Sequence, residues 1–287
     1  MHEMHQADIR QPAVAGQFYP SDPQQLRAEI ARSFSSPLGP GHDPLLAEHG
    51  PRRMMGVVVP HAGYAYSASG AAWAYAAMAA DGRPGAAVML GVNHRGVGAP
   101  LALSPARGWA TPLGVMPVAH ALSAQLQRLD EDLTLDEHAH RHEHSIEVQL
   151  PFLQILFGEL PIIPISLGHA SPVQLARLGH ALAFLAAQHD IVCVASTDFS
   201  HYLPAREAII LDRLALQMIA SIDPTGLLET VRAHHITMCG VLPVTAMLMA
   251  AQEQGIHAGQ ILHYHTSGDV TGEREAVVGY GTAVLSR

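Results

Sequence analysis

Short apolar runs bounded by Gly, Pro and polar turn residues alternate with longer stretches of helical spacing along most of this chain. Uninterrupted runs of Val, Ile, Leu, Met and Ala predict strands buried on both faces. They fall at 55–59, 86–91, 161–167 and 190–196. Apolar residues at three- and four-residue spacing predict helices over 68–80, 119–129, 143–157, 172–188, 205–221, 224–233 and 239–253. Shorter strands are expected at 101–103 and 115–118, on either side of a turn through Trp109 to Gly114, and two final strands at 260–266 and 276–285. The first fifty residues are irregular and rich in Pro and Gly, with one helix near 23–34 capped by Ser21 or Asp22.

Strands alternating with helices predict a single α/β domain over 1–287, with segment 1–50 packed on it. Its central sheet is mostly parallel or mixed and carries helices on both faces. Ligands of such a sheet bind beyond the carboxyl ends of its strands. Three histidines sit there: His61 in Pro60-His61-Ala62-Gly63, His94 in Asn93-His94-Arg95-Gly96, and His201 in Asp198-Phe199-Ser200-His201. Neighbouring strand ends lie only ~5 Å apart, so His61 and His94, on successive strands, are expected side by side. Cys239 starts the helix expected at 239–253, and a helix N-terminus lowers a thiol's pKa and favours the thiolate. Imidazole and thiolate ligands at one sheet edge would make a transition-metal site. Taken singly, each residue has a plainer role: a turn histidine bonded to backbone, or a small buried cysteine. Asp198 reads either as a partner that orients His201 for acid–base chemistry or, like Ser200, as the cap of the next helix.

Composition narrows the choice by exclusion. The formal charge of −9, the absence of a basic block and the low aromatic content (5 %) argue against a nucleic-acid partner. All 16 permanent cations are arginine. Without lysine, a Schiff-base mechanism, lysine-bound pyridoxal phosphate and a Walker-A phosphate loop are impossible. The 20 histidines outnumber those cations, and histidine is both a common metal ligand and a proton shuttle. Two cysteines in a chain this long do not make a disulfide scaffold, and Cys193, inside an apolar run, reads as an inert core residue. Met1 to Arg10 is polar, without the apolar stretch of a signal peptide. The longest apolar helix, Cys239 to Ala251, is shorter than the ~20 residues a bilayer requires. No membrane partner and a reducing, cytoplasmic setting are expected.

One segment offers a rival site. His140-Arg141-His142-Glu143-His144 matches the H-x-x-E-H spacing of inverted zinc peptidases. On a helix, His140 and His144 would share a face and bind zinc, with Glu143 activating water. The tract from His138 to His144 is also a generic histidine-rich run, with His138 and His142 expected in solvent.

Several segments together carry a family resemblance: RQPAVAGQFYP at 10–20, PHAGYAYS at 60–67, GVNHRG at 91–96, WATPLG at 109–114 and EHSIEVQLPFLQ at 143–154. STDFSHY at 196–202, TMCG at 237–240, YHTSGD at 264–269 and VVGYG at 277–281 complete the set. Nearly end to end, the chain resembles the MEMO family, found in bacteria as protein B of the AmmeMemoRadiSam system. The resemblance implies a fold similar to class III extradiol dioxygenases, which are non-haem iron(II) enzymes. It also implies a metal constellation at His61, His94 and Cys239, with His201 and Asp198 close by as catalytic groups. The dioxygenases complete their facial triad with a carboxylate. A cysteine there is softer and suits copper or zinc as well as iron, so catechol cleavage does not follow. The implied cofactor is a transition-metal ion, iron(II) or copper first and zinc third. The implied activity is a dioxygenase-like or copper-dependent oxidation of an unknown small molecule or peptide. A eukaryotic member is linked to phosphopeptide binding and cell motility, which keeps a non-catalytic peptide- or protein-binding module as the alternative. The bacterial name associates the family with a radical-SAM enzyme and an AMMECR1-like protein. Val92, where the family usually has proline, and Ala68, where it usually has glycine, are expected to cause local backbone adjustment only.

Overall fold

The chain enters with strand β1 (Ile9–Arg10) and helix α1 (Pro23–Ser35), which Asp22 caps by accepting the backbone N–H groups of Gln24 and Gln25. Then follow β2 (Met54–Val59), α2 (Tyr64–Asp81), β3 (Ala86–Val92), β4 (Leu101–Leu103), β5 (Gly108–Thr111), β6 (Gly114–Pro117) and α3 (His120–Leu129). Next come β7 (Thr134–Leu135), a 3-10 turn (Glu147–Gln149), α4 (Leu150–Phe157), β8 (Ile162–Leu167), α5 (Pro172–Gln188) and β9 (Ile191–Ser196). The last part holds β10 (His201–Leu203), α6 (Ala205–Ala220), α7 (Pro224–Ala233), α8 (Val241–Glu253), β11 (Gly259–Thr266), α9 (Ser267–Thr271) and β12 (Val277–Ser286). These elements come from a computed structural model that describes residues 9–287. The polar start read above as lacking a signal peptide lies outside the described residues up to position 8.

The main sheet runs β10-β12-β2-β9-β3-β8-β4-β7, with β11 also paired to β12. Its centre, β2-β9-β3-β8, is parallel, and β12 and β4 flank it antiparallel. The fold is therefore the expected single α/β domain with a mixed sheet. Successive side chains of a strand point to opposite faces, and the central strands obey this. Val57, Val59, Met89, Val192 and Val194 pack with Leu26, Tyr75 and Phe152 of α1, α2 and α4. Val58, Val88, Leu90, Cys193 and Ala195 pack with Leu175, Leu216 and Met247 of α5, α6 and α8. Cys193 is fully buried, and burial pushes its thiol up to about 12, which suits an inert core residue. Among the described residues no helix is long and apolar enough to cross a membrane.

Four expectations need correction. β2 and β3 are not neighbours: β9 lies between them. Trp109 is not in a turn but in β5, which pairs with β6 as a hairpin. The helix expected from residue 143 begins only with the 3-10 turn at Glu147 and continues as α4, with Pro151 in its first turn. Proline fits that position because its missing N–H is an orphan there anyway. Finally, α8 begins at Val241, so Cys239 precedes it in a turn.

Candidate metal centre

The site is built on the end of β9. Ser196 donates its hydroxyl hydrogen to the Ser145 carbonyl (2.7 Å). Its oxygen is then left to accept from the Gln149 side-chain amide (2.9 Å) and from His61 Nδ1 (2.9 Å). His61 is thus held with its hydrogen on Nδ1, and its Nε2 lone pair faces Cys239 Sγ at 3.2 Å. Gln149 is fixed in turn by the Pro60 carbonyl (2.9 Å) and the Tyr75 hydroxyl (2.7 Å).

His94 reaches the same place from β3. Its Nδ1 donates to Glu143 Oε1 (3.0 Å), which again leaves Nε2 as a lone pair. Glu143 also accepts the backbone N–H groups of His94 (2.8 Å), His144 (2.8 Å) and Ser145 (2.9 Å). Burial pushes this carboxyl up, but the hydrogen bond from His94 and the neighbouring imidazoles and N–H groups hold it well below the carboxylate range. Wrapping the chain around this carboxylate is what keeps 143–146 out of the predicted helix.

Cys239 completes the group. The Asp198 N–H donates to Sγ (3.2 Å), and Sγ stands 3.2 Å from His61 Nε2 and 3.5 Å from the Asp198 carbonyl. Gly240 lets this turn close on the sheet: a Cβ there would stand 2.3 Å from the Ser196 carbonyl oxygen. The ligand atoms of His61, His94 and Cys239 lie within 4.8 Å of one another. His61 is 1 % exposed and the His94 side chain 31 %, so the cluster opens to solvent on the His94 side. The helix start expected to favour the thiolate does not act here, because Cys239 precedes α8. Burial, reinforced by the Asp198 carboxylate, pushes the Cys239 thiol far above its ordinary value.

Asp198 and His201 sit beside this cluster in separate arrangements. Asp198 accepts the His61 backbone N–H (2.8 Å), and burial pushes its carboxyl up to about 6. His201 is oriented by Thr237: its N–H donates to Oγ1 (2.7 Å) and its Nδ1 to the carbonyl (2.9 Å). A carbonyl only accepts, so neutral His201 keeps Nε2 as its base. The orienting partner is therefore Thr237, from the same turn as Cys239, and not Asp198, which reads from the sequence either as that partner or as a helix cap.

The rival peptidase set does not form. His140 is buried, bonds the Ala102 carbonyl through Nε2 (3.0 Å) and packs edge-on against Trp109. Glu143 and His144 instead join the first site. The His144 ring stacks on His94 (4.8 Å) and stands edge-on to His61 (5.5 Å), and burial pushes its pKa down to about 4. His144, Glu143, His94 also offer ligand atoms within 4.8 Å, but the oxygens of Glu143 are already spent on four N–H donors. Sequence reasoning missed the roles of Ser196, Gln149 and Glu143. The available signal was the polar spacing Glu143, Ser145, Glu147, Gln149 before α4, all of them buried. Val92 uses an N–H that proline lacks to bond Ser145 Oγ (2.9 Å), and Ala68 is buried within α2.

These features define an α/β protein with a His–His–Cys cluster, able to hold a metal ion, at the carboxyl edge of its parallel strands. Residues 10–284 match the family described as Memo-like protein, and the chain belongs to that family. A MEMO1 family protein of Methanopyrus kandleri is 41 % identical, with 97 % of this chain and 99 % of the relative covered. One of Methanothermobacter thermautotrophicus is 40 % identical over 95 % of this chain and 98 % of the relative. The fold is shared with an uncharacterized protein from Escherichia coli K12, whose crystal structure matches with a TM-score of 0.59 at 17 % identity, covering 82 % of this chain and 100 % of that one.

Replacing Glu143 by Gln is expected to lower metal affinity by about 10–100-fold, the usual effect of removing a partner that orients a ligating histidine. Chelator competition would measure it, and an unchanged affinity would show that His94 does not depend on this carboxylate.

Proposed function

We propose that this protein is a metal-dependent redox enzyme in which His61, His94 and Cys239 hold a transition-metal ion. The observation that carries this reading is the convergence of two imidazole Nε2 lone pairs and a thiol, with both Nδ1 atoms engaged by fixed partners. That is the way ligating histidines are usually oriented. Iron(II) or copper fits a redox role, with zinc as the third choice. A bound ion would supply redox chemistry and polarise a substrate oxygen. The chain's own groups move the proton: His201 Nε2 takes it from a substrate hydroxyl, with Asp198 close by in support. Oxygen or another small oxidant is the co-substrate, and the organic substrate is a small molecule or a peptide. A reducing, cytoplasmic setting belongs to the same proposal, because it keeps Cys239 available as a ligand. So does an association with a radical-SAM enzyme and an AMMECR1-like protein.

A second reading, a binding module for a peptide or protein using the same pocket, is favoured by Tyr202. This residue is 78 % exposed, sits beside His201 and is held at φ +59. A bulky residue in the left-handed region is strained, and such strain clusters at functional sites.

The deciding measurement is metal content and oxygen consumption of protein purified without oxygen, as wild type and as His61→Ala. Metal in the wild type and its loss in the variant, with oxygen uptake on some reductant, is the expected result. Equal metal in both would sink the site, and metal without oxidation chemistry on any reductant would favour the binding module.

The site also predicts a pH dependence. A cysteine binds metal as the thiolate, and the Cys239 thiol is pushed up, so it is protonated at neutral pH. Binding therefore releases a proton, and apparent affinity should rise about tenfold per pH unit from about pH 6.5 to about pH 8.5. His61 is held well below its ordinary value by burial and by the neighbouring imidazoles, and adds no further proton in this window. A flat profile in chelator competition would argue against Cys239 as a ligand.

A further inference from the structure

We infer that His263 and His265 form a second metal site, in which their two imidazoles hold a cuprous ion against α2. The pair lies on β11, where alternate side chains point to opposite faces. Tyr264 points to α6, its hydroxyl donating to Asp212 (2.7 Å). His263 and His265 point to α2. The His263 ring stacks on Trp73 (5.4 Å, 10°), and Trp73 is itself held by the Leu38 carbonyl (3.0 Å). His265 Nε2 donates to the Tyr66 carbonyl (2.9 Å). A carbonyl only accepts, so the other nitrogen, Nδ1, is a bare lone pair.

That lone pair has no partner. His265 is 3 % exposed, and its Nδ1 is buried without a hydrogen bond. His263 Nε2 is in the same condition. The two rings are 5.2 Å apart and tilted by 39°. Among the described residues three imidazole nitrogens are buried without a partner, and two of the three belong to this pair. Gly70 of α2 admits the arrangement, since a Cβ there would stand 2.6 Å from His265 Cε1 and 3.1 Å from Nδ1. Leaving buried polar atoms unmade is costly, and one ion between the rings satisfies both.

The donor set selects the ion. Two neutral nitrogens bring no negative charge, and the nearby Asp269 carboxylate is taken up by Thr266 and Arg274. A divalent charge would be poorly compensated there. A monovalent cuprous ion accepts imidazole nitrogen and tolerates low coordination. Burial also keeps the rings neutral, with His263 pushed down to about 4. The pair shares no residue with the His61–His94–Cys239 cluster, so the inference stands apart from the proposed enzyme.

The test is anaerobic titration with cuprous ion against a chromophoric chelator. It would use the wild type, Cys239→Ala, His265→Ala and His263→Gln, the last being a change at a half-buried ring that leaves the core alone. The wild type should bind two ions per chain and the other variants one each, with none left when Cys239→Ala and His263→Gln are combined. If the wild type binds one ion that persists in Cys239→Ala but is lost in His263→Gln and His265→Ala, the central site fails and this one stands. Wild-type stoichiometry in both histidine variants would overturn the inference, as would a water between the imidazoles in crystals soaked with cuprous ion.

Discussion

Cys239→Ala is expected to lower transition-metal affinity by more than about 100-fold, beyond the usual effect of losing an orienting partner. The fold should persist, because the residue is only partly buried and its backbone turn is held independently. Gly240 N–H bonds Thr197 Oγ1 at 2.9 Å, and the Thr237 main chain and hydroxyl hold His201. The variant leaves His61 Nε2 facing a methyl group and removes the one ligand of this set that brings negative charge to the ion. Cys239→Asp is the informative companion. It would restore a third, harder ligand and shift preference from copper toward iron(II). Anaerobic metal analysis with competing ions would read both effects. Retained affinity in Cys239→Ala would remove the thiol from the ligand set and reopen Asp198 as the third donor, since its Oδ2 already lies 4.0 Å from His61 Nε2.

Arg10→Ala is expected to destabilise the protein by about 3–5 kcal/mol, because it leaves a buried charge without its partner. The Arg10 guanidinium pairs with Glu147 in the interior, both side chains being almost fully buried. It lies 4.4 Å over the Trp109 ring, and it also donates to the carbonyls of His140 and Glu143. Glu147 meanwhile gathers the N–H groups of Ala13 (2.7 Å) and Val14 (3.0 Å) and the Tyr19 hydroxyl (2.6 Å). The pair ties the N-terminal segment to the loop that carries Glu143 and His144. A fall in melting temperature of roughly 10 °C, with weakened metal binding in the fraction that stays folded, is the expected outcome. Arg10→Lys should not rescue it, since an ammonium cannot reproduce the planar fork that serves three acceptors at once. A melting temperature within a degree or two of wild type would show the pair to be dispensable.

Much of the fold was legible in the sequence because its signals are local. The strands at 55–59, 86–91 and 190–196 are short, uninterrupted apolar runs, and a strand buried on both faces has to be written that way. Elements whose stability comes from elsewhere were missed. β10 is three residues long and exists because it pairs with β12, while β5 has its strand character from β6 and β1. The late start of α4 was hidden because helical spacing at 143–146 is overridden by a carboxylate that accepts four N–H groups, three from the backbone and one from the His94 ring.

By itself the sequence determined which residues end the central strands and so which imidazoles reach the carboxyl edge of the sheet, since an apolar run and the turn after it are properties of consecutive residues. Strand order was beyond it. With β9 inserted between β2 and β3, His61 and His94 meet across the end of a third strand instead of on adjacent ones. Ser196, at that end, sets the His61 tautomer. The tertiary structure alone decided that His140 turns away to Trp109 while Glu143 and His144 join the cluster, and that Thr237 rather than Asp198 orients His201. Those outcomes rest on hydrogen bonds between residues 36 to 135 positions apart. Such contacts are chosen by which buried donors must find acceptors once the layers have packed, and no local pattern records that choice.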